Sequence, residues 1–401
     1  MKSLINRNLL KGSFILVLGF GLFNFFHFLF QFFMARMLSI SDYGVLATLF
    51  AVIYIFSIFT ESMQNVVVKY SSNEPGKGKL KNILNRSMKK ASTYSLIIFS
   101  TYLISSIFLA NLLDISYLLL SINGLIIFLA LYLPITRGIM QGRKKFGLLS
   151  INMASESICK LILGLFFVFI GWKVYGAILG VILGGSFSLL ISFFQLKDVI
   201  KSDEMEADTV GIYNYAKPAL LISAIVIIFY SVDVIIAKIF FEPEIAGAYA
   251  IASILGKIIF WGTLPISKAM FPMSAENKKN KTDNIFQSSF FILIFFIVIS
   301  LLFFYFAPNF VVKIFSGKQI PLASSILFLL GISFSLISIT NLILLHKLSI
   351  NKIEGYKYLI LFILIEIILL SNFSNNLLEF SIAFITSSVA FLWGSLVLIR
   401  E

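Results

Sequence analysis

The chain has 401 residues, of which 59% are hydrophobic and only 13% charged, with a mean hydropathy of +0.97. A soluble domain carries about 25% charge, so this composition leaves too little polar surface to cover a water-soluble globule and makes lipid the solvent for most of the chain. The formal net charge is +13; the placement of the basic residues, below, assigns it to membrane topology and excludes nucleic-acid binding.

Without water, every backbone polar group needs an internal partner, so only helices or closed barrels span a bilayer. The apolar runs are continuous and about 20 residues long, the length of a membrane helix, and do not alternate as barrel strands do. In chain order the predicted spans are 12–35, 43–68, 91–110, 117–137, 148–171 and 174–195, then 214–240, 246–271, 285–307, 322–346, 356–371 and 378–399. The N-terminus, with Lys2, Arg7 and Lys11 before an apolar run, lacks a small-residue cleavage site and reads as an uncleaved first helix. The stretch 308–321, with Pro308, Gly317 and Pro321, reads as irregular and interfacial.

Lysine and arginine concentrate in alternate loops: around 1–11, 69–90, 137–145, 197–217, 268–281, 347–357 and at Arg400. The opposite ends hold only Arg36, Lys173, Lys238, Lys313 and Lys318. The positive-inside rule puts both termini in the cytoplasm, with loops 69–90, 137–147, 196–213 and 273–284 cytoplasmic. The expectation is an all-α, multi-pass protein of the cytoplasmic membrane with about twelve helices in two six-helix bundles, 1–195 and 214–401, joined by an acidic linker, 196–213. That linker carries Asp198, Asp203, Glu204, Glu206 and Asp208. It is read as a solvated hinge, the alternative being a cation site. Shifting the first half by 203 positions lays Gly44 on Gly247, Ala47 on Ala250, Thr60 on Thr263 and Ser71 on Ser274. Six-helix repeats return to the same side of the membrane, so the halves would be parallel copies about an axis along the membrane normal, with the substrate path between them.

Enzyme chemistry is not indicated. No phosphate loop occurs, since Pro75-Gly76-Lys77-Gly78-Lys79 lacks the spacing and the hydroxyl residue. Ser157-Ile158-Cys159-Lys160 matches S-x-x-K without its partner motifs or a soluble domain. The single cysteine, Cys159, excludes an intramolecular disulfide, and neither a metal site nor a cofactor is expected.

Ionisable groups inside membrane spans are costly and mark functional candidates. Helix 1 has Asn24, His27 and Gln31 on one stripe; helix 2 has Glu61, Gln64 and Asn65; helix 5 has Asn152, Glu156 and Lys160. Helix 7 has Tyr230 and Asp233, helix 8 has Ser253, Lys257 and Trp261, and helix 11 has a lone Glu366. Glu156 and Lys160 either neutralise each other at i,i+4 or face a cavity. A wet central cavity with Lys160 and Lys257 suits an anionic, phosphate-bearing substrate. Lys257 is the preferred phosphate contact, with Trp261 as a stacking surface for a sugar; a permanent pair with Asp233 is the competing account. Arg137 and Arg143 lie at the inner headgroup level, where lipid phosphates are.

Four segments carry a family resemblance: Leu38-Ser39-Ile40-Ser41-Asp42-Tyr43-Gly44; Arg137-Gly138-Ile139-Met140-Gln141-Gly142 followed by Phe146; Asp233 with Glu242-Pro243 and Ala246-Gly247-Ala248-Tyr249; and Phe271-Pro272. With the twelve-helix plan, the chain resembles the Wzx-type flippases of polysaccharide biosynthesis, in the multidrug/oligosaccharidyl-lipid/polysaccharide exporter superfamily. The resemblance implies two six-helix bundles around a central cavity and the movement of undecaprenyl- or dolichyl-linked oligosaccharide to the outer leaflet by alternating access. The expected partners are that lipid-linked oligosaccharide, membrane lipids, a coupling ion (proton or sodium), and a polysaccharide polymerase or glycosyltransferases. Two alternatives stand beside it: a cation-coupled multidrug exporter of the same superfamily, and a non-transporting scaffold in a polysaccharide-assembly complex.

Overall fold

The computed structural model describes residues 7–73, 76–207, 213–276, 279–350 and 354–397. The protein is all-α, and its helices follow from the apolar runs. The first half comprises α1 (Arg7–Met37), α2 (Ile40–Asn73), α3 (Lys77–Leu113), α4 (Tyr117–Gly124), α5 (Ile126–Gly142), α6 (Phe146–Phe167), α7 (Lys173–Gln195) and the short α8 (Lys197–Ile200). The second half comprises α9 (Tyr213–Phe240), α10 (Pro243–Glu276), α11 (Lys279–Phe306), α12 (Pro308–Ser316), α13 (Pro321–Ser349), α14 (Ile360–Asn372) and α15 (Leu377–Val397).

Among the described residues, ten helical stretches are long and apolar enough to cross a membrane. One of them, Phe146–Gln195, is 50 residues long. As one straight helix it would run to about 75 Å at 1.5 Å per residue, more than twice the hydrocarbon core. It instead reverses at a π-turn, Val168–Trp172, where Gly171 has φ 96° and Lys173 φ 43°. The first is a conformation that glycine adopts without a Cβ penalty. Adding the short apolar α14 accounts for about twelve membrane helices, and the chain is a multi-pass membrane protein.

The stretch 308–321 is more regular than its composition suggests. Pro308 starts α12 as a first-turn proline, and Gly317, at φ 71°, closes it. Val312 and Phe315 are buried while Phe310 and Ile314 are exposed, so the helix is amphipathic.

The helices form two units: 1–38 with 56–216, and 39–55 with 217–401. The sequence division placed 39–55 with the first bundle; their contacts lie with the second unit. In the first unit, α6 and α7 pack as a tight hairpin. Gly176, Gly180 and Gly184 recur every four residues along α7, the small-residue face that lets membrane helices approach closely. A Cβ at Gly180 would lie 2.5 Å from Gly164 Cα, and one at Gly184 2.7 Å from Lys160 N. Backbone atoms cannot yield as a side chain can, so larger residues would force the hairpin apart and displace Lys160.

In the second unit, Phe229, Phe334, Phe384 and Phe391 stack in the core between α9, α13 and α15. There a Cβ at Gly44 would meet Gly247 Cα at 2.9 Å.

Candidate functional site

Each unit holds a buried polar cluster on its helices. In the first unit, the spacing of four along α6 aims Asn152, Glu156 and Lys160 inward; Asn152 is fully buried and Lys160 nearly so. The Arg137 guanidinium of α5 meets this stripe. It donates from Nε to Asn152 Oδ1 at 2.9 Å, and from Nη2 to Ser188 Oγ of α7 at 3.1 Å and to the Glu156 carboxylate. Asn152 Nδ2 donates to the Ser188 carbonyl at 2.8 Å, closing a network across three helices. A buried guanidinium is costly unless paired and hydrogen-bonded, and this set gives Arg137 a carboxylate partner and bonds from both Nε and Nη2.

Glu156 stands within electrostatic reach of Lys160, as their spacing of four suggests, and the structure adds Arg137 to the set. Glu156 bonds Arg137, and Arg137, read as a headgroup contact, is only 8% exposed. The reason lies in the fold: the α6–α7 hairpin brings Asn152, Glu156 and Ser188 around the α5 arginine, a tertiary contact that spacing on one helix does not reveal. Lys160 Nζ lies 4.4 Å from the centroid of the Phe30 ring of α1, a cation–π contact. His27, one turn earlier on α1, donates from Nδ1 to the Phe23 carbonyl at 3.1 Å in the tautomer that carries that proton, and lies within electrostatic reach of Lys160 and Arg137. Gln31 is buried on the same stripe, whereas Asn24 is exposed. Gln64 of α2 donates to Gln141 Oε1 at 2.8 Å, joining α2 to α5. The side chain of Glu61 lies outside the described residues.

In the second unit, Asp233 of α9 is fully buried and faces α10. Its Oδ1 accepts from Lys257 Nζ at 3.1 Å, and its Oδ2 from Ser253 Oγ at 2.6 Å and the Tyr249 hydroxyl at 3.3 Å. Tyr249, Ser253 and Lys257 recur every four residues, so one face of α10 supplies all three donors. The structure thus holds the Lys257–Asp233 pair, the competing account to a substrate phosphate on Lys257. Trp261 continues the α10 stripe and sits half-buried against Tyr54 of α2, ring centroids 5.9 Å apart, with Tyr230 6.1 Å from Tyr54. Glu366 of α14 is fully buried in this unit and within electrostatic reach of both Asp233 and Lys257.

Where α5 ends and α3 begins, the acidic stretch is not the free linker its charge suggests. Asp198 accepts both Arg143 guanidinium nitrogens, at 3.1 and 2.8 Å, and Lys145 and Lys77 approach it at 3.5 and 3.8 Å. Lys81 donates to the Ser202 carbonyl, Asn82 and Asn85 hold the Glu204 carboxylate, and Met205 N donates to the Gly78 carbonyl. Segment 197–207 is therefore strapped onto the start of α3. Residues 208–212, with Asp208, lie outside the described ones.

Hydrogen bonds from Arg143 and the charges of Arg143 and Lys145 hold the Asp198 carboxyl well below the usual carboxylate range. A lowered folded value means that this contribution is present above the unfolded carboxylate pKa and is lost only as pH falls through the lower folded one. The strap should consequently stay docked at pH values that protonate ordinary carboxylates. Hydrogen exchange at the Met205 amide checks this: slow exchange through mild acid and fast exchange in Asp198→Asn are expected. Acceleration through the ordinary carboxylate range would contradict it.

The profile of the polysaccharide biosynthesis protein family matches residues 9–278, well over half of the chain. The chain belongs to that family. No curated protein sequence matches it significantly. Among solved structures, this polysaccharide biosynthesis protein is similar to the lipid II flippase MurJ in an inward closed conformation. The TM-score is 0.73 at 16% identity, over 94% of this chain and 86% of that one. It is similar also to an inward-facing multidrug resistance MATE transporter of the MOP superfamily, with TM-score 0.69 and 15% identity over 92% and 93% of the two chains. A third likeness is to a MOP superfamily transporter from Pyrococcus furiosus described as having a binding pocket of reversed polarity. There the TM-score is 0.59 at 13% identity, over 97% and 95%. These likenesses give the family member the fold of MOP-superfamily transporters.

Proposed function

We propose that the chain is a flippase that moves lipid-linked oligosaccharide of the undecaprenyl- or dolichyl-phosphate type across the cytoplasmic membrane, by alternating access, with both termini in the cytoplasm. The observation that carries the reading is the buried cluster of the first unit, where two basic side chains, Arg137 and Lys160, gather around the Glu156 carboxylate. Basic side chains gathered at membrane depth suit a phosphate or pyrophosphate. The multidrug reading needs a carboxylate open to a cationic drug; Glu156 is bonded to Arg137 and Asp233 to Lys257. Within this reading Lys160 takes the place of Lys257 as the substrate-phosphate contact, because the Lys257 ammonium is spent on Asp233.

The same reading treats the halves 1–195 and 214–401 as parallel repeats.

A strain lacking the chain tests the function. It should accumulate lipid-linked oligosaccharide in the cytoplasmic leaflet and lose the surface glycan. Unchanged glycan together with heightened sensitivity to cationic drugs would favour the exporter instead.

A further inference from the structure

Glu366 has no answer in the contacts around it. It is fully buried on α14, and both carboxyl oxygens lack a hydrogen-bond partner among the described residues. Its helix is otherwise isoleucine, leucine and phenylalanine up to Ser371. The titratable groups within its reach are on α9 and α10: Asp233, Lys257 and Tyr249. The Lys257 ammonium is already bonded to Asp233, so two carboxylates face one cation and the cluster is one positive charge short. An ionised carboxylate buried without a donor costs several kcal/mol, so some cation must complete the set. A metal ion wants several hard oxygen ligands. Among the described residues no group of three or more His, Cys, Asp or Glu side chains gathers to supply them, and Asp233 already accepts three donors.

We propose that Glu366 is a proton-binding site, and that its ionisation makes it compete with Asp233 for the Lys257 ammonium. In the arrangement seen here the proton is on Glu366, Lys257 is bonded to Asp233, and the cluster is neutral. When the proton leaves to water, the cluster carries one negative charge and the ammonium is drawn toward Glu366. Asp233 is built to release its share, because the Ser253 and Tyr249 hydroxyls continue to hold its Oδ2. The consequence is a change in how α9, α10 and α14 are tied together: the ion pair that joins α9 to α10 becomes one that reaches α14. A proton thereby selects between two packings of one unit. This deepens the transport reading above, for which it supplies the coupling ion, but the protonation itself is independent of any substrate.

Infrared difference spectroscopy on the purified, substrate-free protein tests the site directly. The wild type at neutral pH should show the carbonyl stretch of a protonated carboxylic acid, absent in Glu366→Gln. It should also be absent in Asp233→Asn, where the ammonium is free to pair with an ionised Glu366. Monodisperse elution of both variants establishes that the fold is kept. A wild-type spectrum identical to that of Glu366→Gln in this region would mean that Glu366 is ionised, and would overturn the proposal. So would a band that survives unchanged in Asp233→Asn. In reconstituted vesicles, Glu366→Gln should lose the response of glycan transport to an imposed pH gradient. If the infrared result holds while the wild type moves no lipid-linked glycan, the function reading fails and the proton site stands.

Discussion

Replacing Asp233 by alanine should reduce folded protein more than replacing Asp233 and Lys257 together. The single change leaves a lysine that is 3% exposed without its main counter-charge. Breaking a buried pair from one side costs about 3–5 kcal/mol, whereas exchanging the whole pair for apolar groups of similar volume is often neutral. Asp233→Asn with Lys257→Met should therefore recover most of the monodisperse, heat-resistant fraction, and the exchange Asp233→Lys with Lys257→Asp a good part of it. Glu366 absorbs some of the stranded ammonium's charge, so adding Glu366→Gln to Asp233→Ala should deepen the loss. Equal yields from the single and double variants, read by size exclusion after a heat step, would show that the pair is not a structural unit.

Lys160→Ala should abolish glycan export while leaving protein levels close to normal. The two halves of that expectation have different causes. Lys160 packs over the Phe30 ring and is not the partner of Arg137, so its removal leaves the Arg137–Asn152–Glu156–Ser188 network intact. It also removes a charge that costs about 3 kcal/mol to place at mid-membrane. What disappears is the Lys160 ammonium, and with it its attraction for a phosphate. Lys160→Arg should keep part of the export, because the charge remains, although the bulkier planar head must fit over the Phe30 ring, whose centroid lies 4.4 Å from Lys160 Nζ. Normal surface glycan in Lys160→Ala would remove this residue from the transport path.

Much of the fold was legible because hydropathy acts over whole helices, and long apolar runs have one stable form in lipid. The reversal at Gly171 was legible for the same reason, since 50 apolar residues exceed a single span. The stripe Asn152, Glu156, Lys160 was legible from its spacing, but not its partners. Arg137 reads as an inner-surface arginine by position, and only the α6–α7 packing shows it turned inward. The glycines every four residues along α7 were the available signal for that packing. The acidic stretch misled because charge runs are ordinarily solvated; its Asp198 and Glu204 carboxylates and the Ser202 carbonyl instead satisfy Arg143, Asn82, Asn85 and Lys81 at the end of α5 and the start of α3. Glu366 was visible as a lone intramembrane carboxylate, and its nearness to Lys257 and Asp233 was not, because α14 is far from α9 and α10 in sequence.

The central claim, that the chain carries a phosphate-bearing glycolipid, is tested most directly in vesicles. The purified protein is reconstituted with an undecaprenyl-pyrophosphate-linked oligosaccharide confined at first to one leaflet, and the pool reached by an impermeant sugar-modifying reagent added to the other side is followed over time. The account predicts that the wild type exposes the glycan to the reagent and that Lys160→Ala leaves it protected. Protection equal to that of protein-free vesicles, together with uptake of a cationic dye by the same wild-type vesicles, would contradict it.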